Sequence, residues 1–433
     1  MARICLDGFN MSMAEGSGIA TYGRNLCRAL SDLEHETQIL YSSGQKITAN
    51  NLLSQIALFE ARASGNSMVS TALRMIPPIR PTATEVRMTG DVITTEVSGR
   101  FPPADRVWAS PDIFHAANRA HRAFRLSTPV RLGSTVKTDV MHWTCPLPLF
   151  EPRIANVYTL HDLIPLRLPY TTLDDKRAYF DLCKSISARA DRIITVSDHS
   201  RADIIRLLGV DEARVVNTYQ AVCLPSEIVE RTAQEVADEL NGVFRLEPGG
   251  YFLVIGSVDP KKNLKRIVEA YASSLVKAPL VVVGSGWLGD RLISWAGDEV
   301  LGSATALTAS TKEDRRIRRY DYLPLDTLMT LVRGARATLF PSLYEGFGLP
   351  ALESMLLGAP VLATTQGAVP EVVGDAALMV DPYDIKAIRD GIRTLDADAD
   401  LRRDLADRGR RQAAKFSPER YRERLREAYA PVL

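Results

Sequence analysis

The 433-residue chain has little that would tie it to a disulfide framework, a metal or a membrane span. Its five cysteines, Cys5, Cys27, Cys145, Cys183 and Cys223, are odd in number, scattered and never spaced as Cys-x-x-Cys. Reduced thiols filling a core are therefore expected, not disulfides or zinc. No apolar run approaches the roughly 20 residues that cross a bilayer. The amino terminus runs straight into a strand-like stretch, Ala2-Arg3-Ile4-Cys5-Leu6-Asp7, without the apolar core of a signal peptide. Net charge is nearly missing as well: at a formal +1, no global field draws the protein to nucleic acid or acidic lipid. A cytoplasmic protein without a nucleic-acid partner is expected, and any peripheral contact with the inner membrane surface must come from a local cluster.

What is present is an α/β rhythm. Hydrophobic residues at 46% and charged residues at 24% suit a soluble globular chain, and the length favours two domains. Short apolar runs alternate with amphipathic stretches, the pattern of βαβ units and parallel sheets. In the first half the expected strands are Arg3–Leu6, Gln38–Tyr41, Val140–Trp143, Val157–His161, Arg192–Val196 and one near Val215. Ile19, Tyr22, Leu26 and Leu30 recur at helical spacing. Residues from about 44 to 135 are the least regular and read as a variable insertion. A second series begins at Tyr251–Ser257 and continues with strands at Leu280–Val283, Ala337–Phe340, Val361–Ala363 and Leu378–Val380. The boundary is therefore expected near 240, giving units 1–240 and 241–433. Ser417–Tyr429 is a charged terminal helix.

The most informative segment is Phe340-Pro341-Ser342-Leu343-Tyr344-Glu345-Gly346-Phe347-Gly348-Leu349-Pro350-Ala351-Leu352-Glu353. A strand ends, a glycine-bearing loop turns, and a helix starts with Pro350 near its first position, where proline is favoured. Loop amides and a helix N-terminus then lie beyond a strand's carboxyl end, a phosphate site. Glu345 on the loop and Glu353 in the first helical turn flank that cradle. A carboxylate can accept from both hydroxyls of a ribose diol, so the set suits a nucleotide sugar, although Glu353 alone could merely complement the helix dipole. Gly256-Ser257-Val258-Asp259-Pro260-Lys261-Lys262-Asn263 follows the second unit's first strand and presents two lysines to a diphosphate; by itself such a pair is a solvated turn. Gly284-Ser285-Gly286-Trp287-Leu288-Gly289 spells a dinucleotide fingerprint but follows that unit's second strand, so Gly284 is read as letting backbone approach the nucleotide. In the first unit, Gly16-Ser17-Gly18 is a turn or a site for the diphosphate or acceptor, and His161-Asp162 ends a strand at a cleft or is structural. Ser197 caps the next helix. Asp396, Asp398 and Asp400 read as solvated surface, and no Asp-x-Asp metal signature stands on a suitable loop. Arg119, Arg122 and Arg125 recur every three residues, a basic helical face beside Phe114, His121 and Phe124. It is either solvated or a tentative contact for anionic headgroups or a lipid-linked pyrophosphate.

The EGFGLPALE spelling of Glu345 through Glu353 resembles the E-x7-E motif of the GT-B fold glycosyltransferases of family 4. The likeness extends to the GSGIATYGRNL stretch, His142, the HDLIPLRLPY run from His161, the VSDHSRADIIRLLGV run from Val196, the SVDPKKN loop and the GAPVLATTQGAVPEVVGDAALMVDP segment ending at Pro382. The subgroup it is most similar to is the bacterial mannosyltransferases of O-antigen and capsule assembly. The resemblance implies two Rossmann-like domains with a cleft between them, the last helix packing back on the first. It implies a retaining hexosyltransferase acting by front-face attack, with GDP-mannose as donor, a saccharide or lipid-linked acceptor, and no cofactor or metal. A rhamnosyl or other deoxysugar transferase is the alternative. By the same resemblance Glu353 binds the ribose, Glu345 the donor sugar and Lys262 the diphosphate. Gly346, Phe347, Gly348 and Leu349 hold the phosphates, with Tyr344 beside them, and His161 lies by the transferred sugar. Where many relatives have arginine this chain has Ser257, and Lys261 is expected to supply the second charge. Competing readings are a GT-B-like phosphorylase or epimerase, an NAD-dependent oxidoreductase resting on the Gly284 match, and an inactive scaffold.

Overall fold

The apolar runs become strands of two separate sheets, both mainly parallel. The computed structural model describes residues 1–12, 18–48, 50–59, 81–92, 101–102, 104–133, 137–257, 259–284 and 316–433. In the first unit these strands are β1 (Arg3–Asp7), β2 (Glu36–Ser43), β3 (Thr82–Val86), β4 (Arg106–Pro111), β5 (Arg131–Leu132), β6 (Val140–Trp143), β7 (Ala155–Thr159), β8 (Arg192–Thr195) and β9 (Val215–Asn217). They lie in the order β9-β8-β7-β6-β1-β2-β4-β3-β5, parallel except where β3 meets β4. The second unit has β10 (Phe252–Ile255), β11 (Leu280–Val283), β12 (Ile317–Tyr320), β13 (Ala337–Phe340), β14 (Val361–Thr364) and β15 (Leu378–Val380), ordered β12-β11-β10-β13-β14-β15 and parallel throughout. β10, β11 and β13 are buried along their whole length, as strands covered on both faces must be.

The helices that matter for the site are α1 (Gly18–Asp32), α2 (Ile113–Phe124), α3 (Lys176–Arg189), α4 (Asp198–Leu208), α5 (Leu264–Ser274), α6 (Leu349–Leu356) and α7 (Pro418–Tyr429). Tyr22, Leu26 and Leu30 of α1 enter the core, the face that their spacing predicts. Part of the stretch read as an insertion belongs to the sheet: β4 pairs along β2 from Gln38–Arg106 to Ser43–Pro111. Its signal was hidden because the strand carries Arg106, which is ion-paired to Glu36 and Glu85, and Trp108, whose Nε1 donates to Gln38 at 2.9 Å.

Two further placements depend on long-range packing. Ile228, Val236 and Leu240 join Tyr251, Leu253 and Met329 in one cluster. The boundary expected near 240 therefore falls inside the second unit's packing, because a charged segment with a sparse apolar stripe looks like a linker until its groove is seen. At the other end, Tyr421, Leu425 and Tyr429 of α7 pack with Ile4, Leu6 and Tyr22 of the first unit, and Arg422 pairs with Asp32 at 2.8 Å. The last helix thus packs against the first unit.

Strand order reverses in the second sheet between β10 and β13, where chain connections leave to opposite sides. That opens a crevice at the carboxyl ends of these two strands. The loops after β10 and β13 lie there, and they carry Lys261, Lys262 and Glu345.

Candidate functional site

The two loops are tied together by backbone and one side chain. The Leu343 amide donates to the Lys261 carbonyl at 2.7 Å. Asn263, at φ 63° and buried, donates from Nδ2 to the carbonyls of Pro341 (2.9 Å) and Pro382 (2.7 Å). One asparagine thus joins the loops after β10, β13 and β15, and does so from the left-handed region, which asparagine tolerates better than most residues. Two glycines let β10 and β11 approach. A Cβ on Gly284 would lie 1.8 Å from the Gly256 carbonyl oxygen, and Gly256 itself sits at φ +129°.

Within this frame Lys262 Nζ lies 2.7 Å from Glu345 Oε1, both side chains mostly buried, and 5.0 Å from the centre of the Phe340 ring. Burial alone would raise the Glu345 carboxyl, but the Lys262 and Lys261 ammonium groups outweigh it and hold it below its usual value. Lys261 is partly desolvated, yet Glu345, Asp162 and Asp259 keep it raised and charged. The backbone of Glu345 is fixed too: its carbonyl accepts from the Ala368 amide at 3.0 Å, and a Cβ on Gly367 would come within 2.7 Å of it. Gly348, at φ +113°, turns the loop into α6, and proline occupies the first helical turn. The amides of Gly346–Leu349 therefore stand at a helix N-terminus beside two ammonium groups. Glu353, expected in the first turn, stands in the second turn of α6, past the free helix N-terminus, and its carboxyl has no hydrogen-bond partner among the described residues. Burial pushes it to about 7.

The first unit meets this cradle edge-on. His161 and Asp162 follow β7, and a Cβ on Gly346 would lie 2.7 Å from Asp162 Oδ2 and 3.0 Å from the His161 carbonyl. Only glycine permits that approach. His161 Nε2 lies 2.9 Å from the Thr144 carbonyl; a carbonyl only accepts, so in the neutral ring Nε2 carries the proton and Nδ1 the lone pair. Burial lowers the basicity of this imidazole, and the Tyr22 ring packs edge-on against it at 4.7 Å. Behind it the buried His142 bonds Thr159 at 2.7 Å and the Tyr429 hydroxyl. Burial drives its pKa to about 3, so it stays neutral. Gly18 opens α1; Gly16 and Ser17, and Ser285–Gly289 of the GxGxxG stretch, lie outside the described residues.

Some expected site residues take other roles. Tyr344, expected beside the phosphates, reaches across to the first unit: its hydroxyl donates to Asp203 Oδ2 at 2.6 Å and lies 2.7 Å from His199 Nε2. Ser257 is exposed and its hydroxyl donates to Asp259 at 2.5 Å. The basic face is broken. Arg119 pairs with Asp112 at 2.6 Å, Arg125 stands past α2 at a left-handed C-cap and meets Asp181 at 3.3 Å and Asp175 at 3.5 Å, and Phe114 and His121 are buried. Residues 115–137 contain no acid, but folding brings acids from outside that window. Asn263, Asp203 and Glu371 escaped the sequence reading. Glu371 accepts from the amides of Asp198 (2.8 Å) and His199 (3.0 Å) at the start of α4, joining the two units. A carboxylate that caps a helix in another domain leaves no local spacing to detect.

Comparison with known proteins gives the family and the fold. Residues 16–222 match Glycosyltransferase Family 4 and residues 244–412 match Glycosyl transferases group 1. O-antigen chain mannosyltransferase B of Escherichia coli is 35% identical over 271 residues, which cover 61% of this chain and 67% of that protein. The chain belongs to glycosyltransferase family 4. Another relative, the serotype-specific mannosyltransferase WbdA of Escherichia coli, is 28% identical over 64% of this chain, which spans only 33% of that longer protein. Sucrose-phosphate synthase from Thermosynechococcus elongatus superposes with a TM-score of 0.67 at 18% identity, covering 100% of this chain and 99% of that one. Its fold is therefore GT-B. This family 4 enzyme is a hexosyltransferase, and among its described residues no helix is long and apolar enough to cross a membrane.

Proposed function

We propose that this enzyme transfers mannose from GDP-mannose, with retention of configuration, to a saccharide or lipid-linked saccharide acceptor in the assembly of a cell-surface polysaccharide. The observation that carries the reading is the Lys262–Glu345 pair at the strand-order switch, with Glu353, unpartnered among the described residues, on the helix that follows the Glu345 loop. The names of the mannosyltransferase relatives support mannose as the sugar.

The difficult step is departure of the nucleoside diphosphate from the anomeric carbon. Fixed positive charge and oriented amides aimed at the leaving group lower that barrier without reorganising during the reaction. Lys261 and Lys262 supply the charge, and Gly346–Leu349 supply the amides. Glu345, held ionised by the same lysines, accepts from hydroxyls of the donor sugar and orients it. Glu353 accepts from the ribose. The neutral His161 offers a hydrogen-bonding face beside the sugar without adding a charge that would compete for the leaving group. No resident metal or cofactor is required by these roles.

A panel of nucleotide sugars, screened by titration calorimetry and by slow hydrolysis without acceptor, tests the proposal. GDP-mannose should bind and hydrolyse. Binding of UDP-glucose or UDP-N-acetylglucosamine with none of GDP-mannose would overturn the donor assignment.

A further inference from the structure

We infer that Asp7 is a positioning residue for His161: its carboxylate fixes the backbone of Thr144, whose carbonyl in turn holds the imidazole with Nε2 protonated and Nδ1 left as an acceptor. This rests on the place given above to His161 beside the donor sugar.

The three residues stand at the carboxyl ends of three neighbouring strands. Asp7 closes β1, Thr144 follows β6 and His161 lies just past β7, and β6 pairs with both β1 and β7. Asp7 is fully buried. One of its carboxylate oxygens accepts from the Thr144 amide and the other from the Phe9 amide at 3.2 Å. The Thr144 carbonyl accepts from His161 Nε2 at 2.9 Å, and Nδ1 has no hydrogen-bond partner among the described residues. Each link thus joins one strand end to the next, from the buried carboxylate to the imidazole. The same two loops are joined again by the Asn10 side-chain amide, which donates to Cys145 Sγ at 3.2 Å.

Stability does not account for a carboxylate at this place. Burial pushes Asp7 from 3.8 up to about 6, more than its hydrogen bonds pull it back, and no cation pairs with it among the described residues. A folded-state value above the unfolded one means that ionisation costs the fold, by an amount that grows from about pH 3.8 and is complete above about pH 6. Asp139 is the reverse at the other end of the same two strands. Its carboxylate accepts from the Arg3 amide and pairs with the Arg3 guanidinium, both at 2.8 Å. The bond to that side chain holds its carboxyl below the usual value. Two carboxylates therefore cross-link β1 to β6: Asp139 stabilises the fold, and Asp7, which costs it, is the one beside His161.

Asp7→Ala, Asp7→Asn, Asp139→Ala and His161→Gln test the role, each checked for folding by circular dichroism and for intact sites by calorimetric titration with GDP. The rate is kcat for acceptor-free hydrolysis of GDP-mannose per GDP-binding site, so a smaller folded fraction does not lower it. Asp7→Ala should be slower by at least about tenfold, towards the roughly 10²-fold that a misplacement of about 1 Å costs, with GDP affinity within about twofold. Asp7→Asn, which keeps one acceptor for the Thr144 amide, should recover part of that loss. Asp139→Ala should lose stability in urea and keep its kcat. Added to His161→Gln, Asp7→Ala should cost less than about a further twofold, since a residue that acts through His161 then has nothing to act on. Nitrogen NMR of the imidazoles should show His161, identified by its absence in His161→Gln, as the Nε2–H tautomer in the wild type and as a mixture of tautomers in Asp7→Ala. An unchanged kcat or tautomer in Asp7→Ala, an equal loss of rate in Asp139→Ala, or additive losses in the double variant would each overturn the role of Asp7. His161→Gln at the wild-type rate would overturn the place of His161 beside the sugar and this proposal with it. If GDP-mannose is not hydrolysed by the wild type, the donor proposal fails, and the imidazole spectra still decide whether Asp7 holds His161.

Discussion

Replacing Glu353 with glutamine should make the ligand-free protein more stable and its hold on the donor weaker. The carboxyl begins at 4.5 in solution and burial in the second turn of α6 pushes it to about 7, with no cation among the described residues to offset the change. Between these values the folded protein keeps a proton that the unfolded chain releases. Unfolding therefore gives off a proton, and stability falls as pH rises from about 4.5 to about 7 and is level above. At about 1.4 kcal/mol per pH unit, and with Glu353 still partly reached by solvent, the ionised side chain destabilises the ligand-free fold by at most about 3 kcal/mol once pH exceeds 7. Glutamine has the same shape and cannot ionise. In urea denaturation followed by circular dichroism, Glu353→Gln should exceed the wild type by up to about 3 kcal/mol at pH 8 and approach it near pH 5. Calorimetric titration with GDP should show the reverse: wild-type affinity rising through neutral pH as the carboxylate becomes available to the ribose, and the variant weak and flat. Stability curves that run parallel from pH 5 to pH 8 would refute the buried-charge argument. Equal GDP affinities would refute the ribose role.

Three further outcomes are expected. Lys262→Ala should lower turnover by roughly 10²–10³-fold, the scale for losing one preorganised electrostatic group, whereas excess EDTA should leave the wild type active; an enzyme silenced by EDTA and rescued by manganese would mean that charge on the leaving group comes from an ion. Tyr344→Phe keeps the ring but removes the hydroxyl that bridges Asp203 and His199, so small-angle scattering should show a more open cleft and kcat should fall more than donor affinity; unchanged scattering and turnover would remove the tyrosine from closure. Because Arg119 and Arg125 are engaged by Asp112, Asp175 and Asp181, Arg119→Gln/Arg122→Gln/Arg125→Gln should weaken sedimentation with anionic vesicles by little more than the about 1 kcal/mol of one residue. A much larger fall, reversed by nothing but low salt, would show that these ion pairs open at a membrane.

The loops after β10 and β13 were legible because their information is local. A strand, a glycine loop and a helix start are consecutive in sequence, and so are the residues of Gly256–Asn263; their spacing alone puts two carboxylates and two lysines just beyond the carboxyl ends of strands. Short apolar runs likewise located β1, β6, β8, β10, β11, β13, β14 and β15, whereas β12, which carries Arg318 and Arg319, shows no such run. What folding alone decided are the partners. Whether Lys262 meets Glu345, whether Glu353 has a partner among the described residues, and where Asn263 ties three loops depend on which strand ends become neighbours, and that is a property of sheet order, not of spacing. The same holds for Tyr344, which local context assigns to phosphate and the other domain claims through Asp203, and for the basic run after His115, whose neutralising acids come from elsewhere in the chain. A residue's type and its neighbours in sequence determine what chemistry it can offer. The charges, amides and surfaces that folding brings within a few ångströms determine which of those offers is taken up.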